Sequence, residues 1–199
     1  MTNARKHYNR LIAEDNDPVN DPPFLQSHME KWDGREFLSL LALTGEENVL
    51  EIGVGTGRLA LQTVPRCRFF CGVDLSAPTL ARAAEHLRGI GKVQLYCGDF
   101  LTLPFSRQFD VIYASLVFFH IRRKQAALFK AAKLLVPGGR IVLSLDKGTD
   151  RFLDYGTRKV RLYPDAPDKT IVRLERAGLC VSARAETDFA WQIRADKPS

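Results

Sequence analysis

The residues whose types and spacing could do chemistry gather first around Val49 to Ala60, which reads Val-Leu-Glu-Ile-Gly-Val-Gly-Thr-Gly-Arg-Leu-Ala. Gly53, Gly55 and Gly57 crowd one short stretch, where the lack of a Cβ lets a backbone turn sharply and approach a ligand closely. Asp74 follows about 20 residues beyond the first glycine, the separation at which nucleoside-binding α/β folds carry an acid for the ribose. Two ribose hydroxyls offer donors, and an ionised carboxylate supplies paired acceptors. The loop reads G-x-G-x-G rather than the dinucleotide fingerprint G-x-G-x-x-G, in which a helix N-terminus holds a pyrophosphate. The chemistry expected is therefore a cradle for a nucleoside cofactor, and a nicotinamide oxidoreductase is disfavoured.

These residues need elements to hold them. Residues 48–52 are short, apolar and β-branched, as in a central parallel strand covered on both faces, and residues 58–64 open helically with free backbone N–H groups at their start. Residues 68–73 form a second strand ending at Asp74. Ser76 and Pro78 begin an amphipathic helix over residues 77–88, closed by Gly89. A third strand over 92–97 leads into Gly98-Asp99-Phe100, whose Gly-Asp pair is also common in plain turns, and a fourth runs over 109–114. A helix over 122–136 ends in Leu-Val-Pro-Gly-Gly, where Pro137 stops it and the glycines turn the chain into a strand at 140–145. A last helix at 170–177 precedes extended stretches at 179–187 and 189–195. Such alternation predicts an α/β fold with a mostly parallel sheet.

The order of these features resembles the class I S-adenosylmethionine-dependent methyltransferases over residues 46–197. The resemblance rests on Glu51 before the compressed glycine loop, the acid ending the second strand, Gly98-Asp99, Phe109-Asp110-Val111-Ile112, the Leu-x-Pro-Gly-Gly-x-Ile junction and the terminal strand pair. It implies a Rossmann-like three-layer sandwich whose seven-stranded sheet is ordered 3-2-1-4-5-7-6 with the last strand antiparallel. It also implies S-adenosyl-L-methionine as cofactor, held by Glu51, Gly53, Gly55, Gly57, Asp74, Leu75, Asp99, Phe100 and Ser115. In that reading Asp99 accepts from the exocyclic amine of adenine, Phe100 offers its backbone N–H to the ring, and Ser115 to Ile121 line the reaction chamber. The family reaction is direct displacement of the cofactor methyl, which asks the protein for alignment and exclusion of water.

Two side chains could move the proton. His120 is the better general base, since an imidazole exchanges protons near neutrality; Tyr8, on a segment able to cover the pocket, is the second. Residues 1–45 are expected as a helical lid on a core of residues 46–199, with hinge material at Asp17-Pro18 and Asn20. Asp21-Pro22-Pro23-Phe24 imitates the D-P-P-[YF] signature of methyltransferases acting on the amino groups of bases, but no apolar strand precedes it. Pro-Pro reads better as a helix boundary. A catalytically silent S-adenosylmethionine sensor shares every cofactor motif and stays open, as does a nucleic-acid or protein acceptor; an aminopropyltransferase would want an acidic pair after the fourth strand.

Composition bounds the rest. At 45% hydrophobic and 26% charged the chain is ordinary globular material. The net charge of +6 is uneven, with 11 Lys/Arg against 13 Asp/Glu in residues 1–99 and 18 against 10 in residues 100–199. Arg122-Arg123-Lys124 is the only tight basic cluster and begins a helix, so a solvated face explains it better than nucleic-acid binding. The N-terminus lacks an apolar signal region and residues 111–121 are too short to span a bilayer, so a cytoplasmic protein is expected. Cys67, Cys71, Cys97 and Cys180 lack metal or redox spacing and read as reduced core thiols, with no metal indicated. The expected partner is a small-molecule methyl acceptor, for a monomer or homodimer.

Overall fold

The structure, a computed structural model, describes residues 3–199. Seven strands, β1 (Asn48–Ile52), β2 (Phe69–Asp74), β3 (Val93–Cys97), β4 (Phe109–Ser115), β5 (Leu135–Asp146), β8 (Cys180–Glu186) and β9 (Ala190–Asp196), form one sheet ordered β3-β2-β1-β4-β5-β9-β8. The pairs are parallel from β3 through β5, and β9 lies antiparallel between β5 and β8. This is the order expected from the sequence, with β8 and β9 as sixth and seventh strands.

Alternation of side chains along the central strands divides the core into two layers. Val49, Val111 and Tyr113 face a cluster with Phe37, Leu41, Leu59, Ala60 and Leu80. These come from α3 (Arg35–Leu40), α4 (Ala60–Thr63), α5 (Ala77–His86) and the chain beside them. Leu50, Ile52, Ile112 and Leu143 face Ala127, Leu128, Ala131, Ile171 and Leu174. Those residues belong to α6 (Lys124–Leu134) and α7 (Pro167–Arg176). Central strands covered on both faces explain the near-continuous apolar runs that carried the sequence reading.

Several local expectations change. The helix after the glycine loop shrinks to four residues and a 3-10 turn at Val64–Arg66, because Pro65 cannot continue a helical ladder. The helix expected to reach residue 136 ends at Leu134 and β5 begins at Leu135, but its pairing with β4 is interrupted between Leu135 and Arg140, where Gly138 takes φ +74°, so the glycines turn the chain into the regular part of the strand as expected. Cys71 is buried as expected, but Cys97 and Cys180 are exposed. A hairpin of β6 (Phe152–Asp154) and β7 (Lys159–Arg161) was not legible in the sequence.

The N-terminal part folds as α1 (Ala4–Ala13) and α2 (Pro23–Asp33). Pro23 sits at the first position of α2, where its missing N–H costs nothing, and Phe24 is 70% exposed, so Asp21-Pro22-Pro23-Phe24 is a helix start. No helix among the described residues is long and apolar enough to cross a membrane.

Candidate active site

The carboxyl ends of β1 to β4 meet at a cavity of about 470 Å³. Its floor is backbone. Gly53 and Val54 donate N–H bonds to Val73 O at 2.7 and 3.0 Å, stitching the end of β1 to that of β2. Gly53 has φ +78°, and a Cβ there would lie 2.2 Å from Val117 Cγ2, so only glycine lets the turn close under the β4 loop. Gly55 has φ +57°, with open space where a Cβ would point, and its N–H donates to Asp74 Oδ2 at 3.0 Å. Ser76 N–H donates to Asp74 Oδ1 at 2.9 Å. Burial pushes the Asp74 carboxyl up from its ordinary range, and the amides of Ser76, Gly55 and Leu75 pull it back down.

Of the residues expected at the cofactor, Glu51, Gly53, Gly55, Asp74, Leu75, Asp99, Phe100 and Ser115 line the cavity together with Tyr8 and His120. Gly57 does not; a Cβ on it would point at Ala83 of α5 and at Leu87 just past its end, so its freedom serves the packing of the turn on that helix. Glu51 is buried and accepts from the Tyr113 hydroxyl at 2.7 Å, and burial drives its pKa well above the usual carboxylate range. Asp99 is exposed, with Oδ1 accepting from Leu101 N–H at 2.9 Å.

Two residues at the cavity were missed by sequence reasoning. Asp33, the last residue of α2, is fully buried, and its Oδ2 accepts from both the Arg58 guanidinium and the Ser115 hydroxyl, while its Oδ1 is buried without a partner. Arg58 stands in the glycine motif and could have drawn attention. Nothing in the local sequence marks Asp33, because its partners lie 25 and 82 residues away.

The roof brings Tyr8 and His120 into contact. The Tyr8 hydroxyl lies 2.8 Å from His120 Nε2, with the rings edge to face. Burial first, then the neighbouring His7 and Lys124, lower the His120 pKa to about 4, so the imidazole is neutral near pH 7 and its proton exchange lies well below the neutral range expected from its residue type. Burial first, then the Asp74 charge, raise that of Tyr8, which stays protonated. His120 ends a 3-10 turn, Phe118–His120, fastened by the buried Lys124. The Lys124 ammonium donates to Phe118 O at 2.6 Å, to Tyr163 O at 2.7 Å and to the Asp165 carboxylate.

Tyr8 is fastened through α1. Arg158, beside the β6–β7 hairpin, donates to His7 Nδ1 at 3.0 Å and makes a two-pronged pair with Glu14 at 2.8 and 2.7 Å. The expected hinge is pinned as well: Asp17 is buried, 3.3 Å from His86 Nε2 and 3.7 Å from Arg82 Nε, both on α5.

The fold is of the doubly wound α/β type with a cavity at the carboxyl ends of its parallel strands, and comparison with known proteins gives the class. A family model described as a methyltransferase domain matches residues 49–139. An uncharacterized methyltransferase of Geobacillus kaustophilus is 32% identical over 177 residues, covering 80% of this chain and 81% of the relative. The N-methyltransferase NodS from Bradyrhizobium japonicum, solved with S-adenosyl-L-homocysteine, superposes with a TM-score of 0.78 at 21% identity over the whole of both chains. Magnesium protoporphyrin IX methyltransferase from Synechocystis gives 0.77 at 18% identity over 97% of each chain. At these identities the two structures share the fold. The chain belongs to the class I S-adenosylmethionine-dependent methyltransferases, an enzyme family whose cofactor is S-adenosyl-L-methionine.

Proposed function

We propose that this enzyme methylates a small molecule, and the observation that carries the reading is the roof: Tyr8 and His120 meet over a cavity sized for whole small ligands rather than a polymer. The residues present fit the cofactor. Open space at Gly55 admits a nucleoside against the backbone, Asp74 accepts from the ribose, and Asp99 with the Phe100 N–H meets the adenine beside Leu75. Arg58 suits the carboxylate of the amino-acid tail and the unpartnered Oδ1 of Asp33 suits its ammonium. Gly53 and Ser115 border the reacting end, and Glu51, bonded to Tyr113, supports the turn from beneath. Gly57 contributes by seating that turn on α5.

When bound, the cofactor supplies an electrophilic methyl group on a sulfonium. The chain's part is to hold the acceptor in line, keep water out and take up a proton where the nucleophile carries one. Tyr8, protonated and bonded to a neutral His120, can receive that proton on its oxygen as its own passes to Nε2. α1 and the β6–β7 hairpin supply the cover. A roof of this kind disfavours a nucleic-acid or protein acceptor.

Calorimetry with S-adenosyl-L-homocysteine and NAD tests the cradle, and a whole-cell extract, holding both small molecules and macromolecules, incubated with methyl-labelled cofactor tests the transfer. Binding of the first ligand alone, with label appearing in a small product, is expected. Equal or tighter NAD binding overturns the cofactor contacts; cofactor binding without turnover favours a silent sensor, and label confined to macromolecules overturns the small acceptor.

A further inference from the structure

The tight basic run at the start of α6 is only in part a solvated face. Lys124 turns inward and is buried on Asp165, and this anchor holds its two predecessors at the rim of the cavity. Arg122 and Arg123 are exposed, and both line the cavity beside Ile121. Both also line a shallow depression that continues outward past Phe129 to Arg173. Among the described residues no carboxylate pairs with either arginine, whereas Arg58 inside the cavity is matched by Asp33. The acids nearest the reacting end are committed to other donors, Asp33 to Arg58 and Ser115, Asp74 to the Gly55 and Ser76 amides. The cavity that both arginines border is lined in part by apolar side chains, Met29, Leu116, Val117 and Ile121, and by Tyr8 and His120.

We propose that the methyl acceptor carries an anionic group, a carboxylate or a phosphate, which Arg122 and Arg123 hold at the rim while its apolar body reaches inward to Tyr8 and His120. The inference rests on the small-acceptor reading above and names the chemistry that reading lacks. Guanidinium groups are planar, permanently charged and forked to match two oxygens of one anion. A pair left without carboxylates at the mouth of an apolar cavity sets a positive potential where a substrate must enter, raising both encounter rate and selectivity for anions. The apolar wall behind them gives such a ligand its remaining affinity and fixes which end faces the chemistry.

The test uses the full chain loaded with S-adenosyl-L-homocysteine, titrated with phenylacetate, phenyl phosphate and the neutral phenylacetamide while the arginine Nε–H signals are followed by NMR. Both anions should bind at least about tenfold more tightly than the amide, the worth of one charge-assisted bond, and should shift the Arg122 and Arg123 signals; whichever anion binds tighter identifies the group. The double variant R122E/R123E should lose this preference while keeping its affinity for S-adenosyl-L-homocysteine. No preference for the anions, or a preference that survives the double variant, overturns the proposal. So does a single-stranded oligonucleotide that binds the rim more tightly than either small anion, since the surface then serves a polymer. Loss of S-adenosyl-L-homocysteine binding in the parent chain strikes the cofactor reading instead, and the two failures are distinct.

Discussion

The floor and the roof of the cavity are built on different principles. In the floor, the contact that shapes the cradle joins Gly55 to Asp74 across 19 residues, and the surrounding bonds are backbone N–H to backbone O at the ends of neighbouring strands. In the roof, Tyr8 meets His120 across 112 residues and Arg158 reaches back 151 residues to His7. A backbone-built floor tolerates wide change in side chains so long as glycine stands where φ is positive. A roof of side-chain pairs depends on particular residues, so acceptor choice can diverge while cofactor binding persists.

Substitutions that strike one half alone can break this comparison. The largest effect is expected from His120→Ala, which should lower turnover by about 10²–10⁴-fold, the usual worth of a positioned acid–base group. Affinity for S-adenosyl-L-homocysteine should hold, because the floor is untouched; weaker cofactor binding shows that roof and floor are coupled. Tyr8→Phe should fall in the same direction by less, since the imidazole remains.

Asp74→Ala is the converse. Removing acceptors for the ribose and the partner of Gly55 N–H should weaken S-adenosyl-L-homocysteine by about 1–3 kcal/mol, read by calorimetry. Unchanged affinity moves the ribose contact elsewhere in the floor. Gly53→Ala should cost about 1–3 kcal/mol of stability through strain and overpacking against Val117, measurable as a lowered denaturation midpoint with the roof contacts intact.

Arg158→Ala removes the latch between α1 and the hairpin. Limited proteolysis should then cut the chain between residues 9 and 20 sooner than in the parent, while the sheet stays resistant. Protection by S-adenosyl-L-homocysteine would show α1 acting as a lid that closes over cofactor. If the cutting pattern matches the parent, Asp17 with its partners on α5 suffices to hold the cover.

The smallest expected effect is a pH dependence. His120 is held at about 4, against about 6.5 in an unfolded chain, so between those values the unfolded state binds the extra proton. Its contribution to stability is complete above about pH 6.5 and declines as pH falls toward about 4. His7, lowered mainly by burial and then by Arg158, adds in the same direction. Thermal midpoints across this range should fall with acid in the parent and fall less in His120→Ala; parallel curves show that the imidazole is not the group charging.

What could be read without a structure was whatever neighbours in the chain encode. The succession of strands and helices followed from apolar runs and turn residues, their order in the sheet from the resemblance to the methyltransferase family, the cradle from glycines whose backbone freedom is a local property, and the cap of α5 from Ser76, whose side chain accepts from Thr79 N–H as expected. His120 and Tyr8 could be named one at a time, from residue type and from nearness to expected elements, but nothing local pairs them. The hairpin that carries Arg158 to α1 has strands of three residues each, too short to show a period, and Asp33 is an ordinary helix-end acid until packing buries it beside Arg58 and Ser115. The same limit hid the inward turn of Lys124: charge pattern in one dimension cannot tell a wholly solvated run from one in which the lysine is drawn into the core and leaves two exposed arginines on the rim of a cavity. Local backbone preference is fixed by a few adjacent residues, whereas side-chain partnership and burial depend on which distant segments the completed core brings together, and that is decided only when the tertiary structure forms.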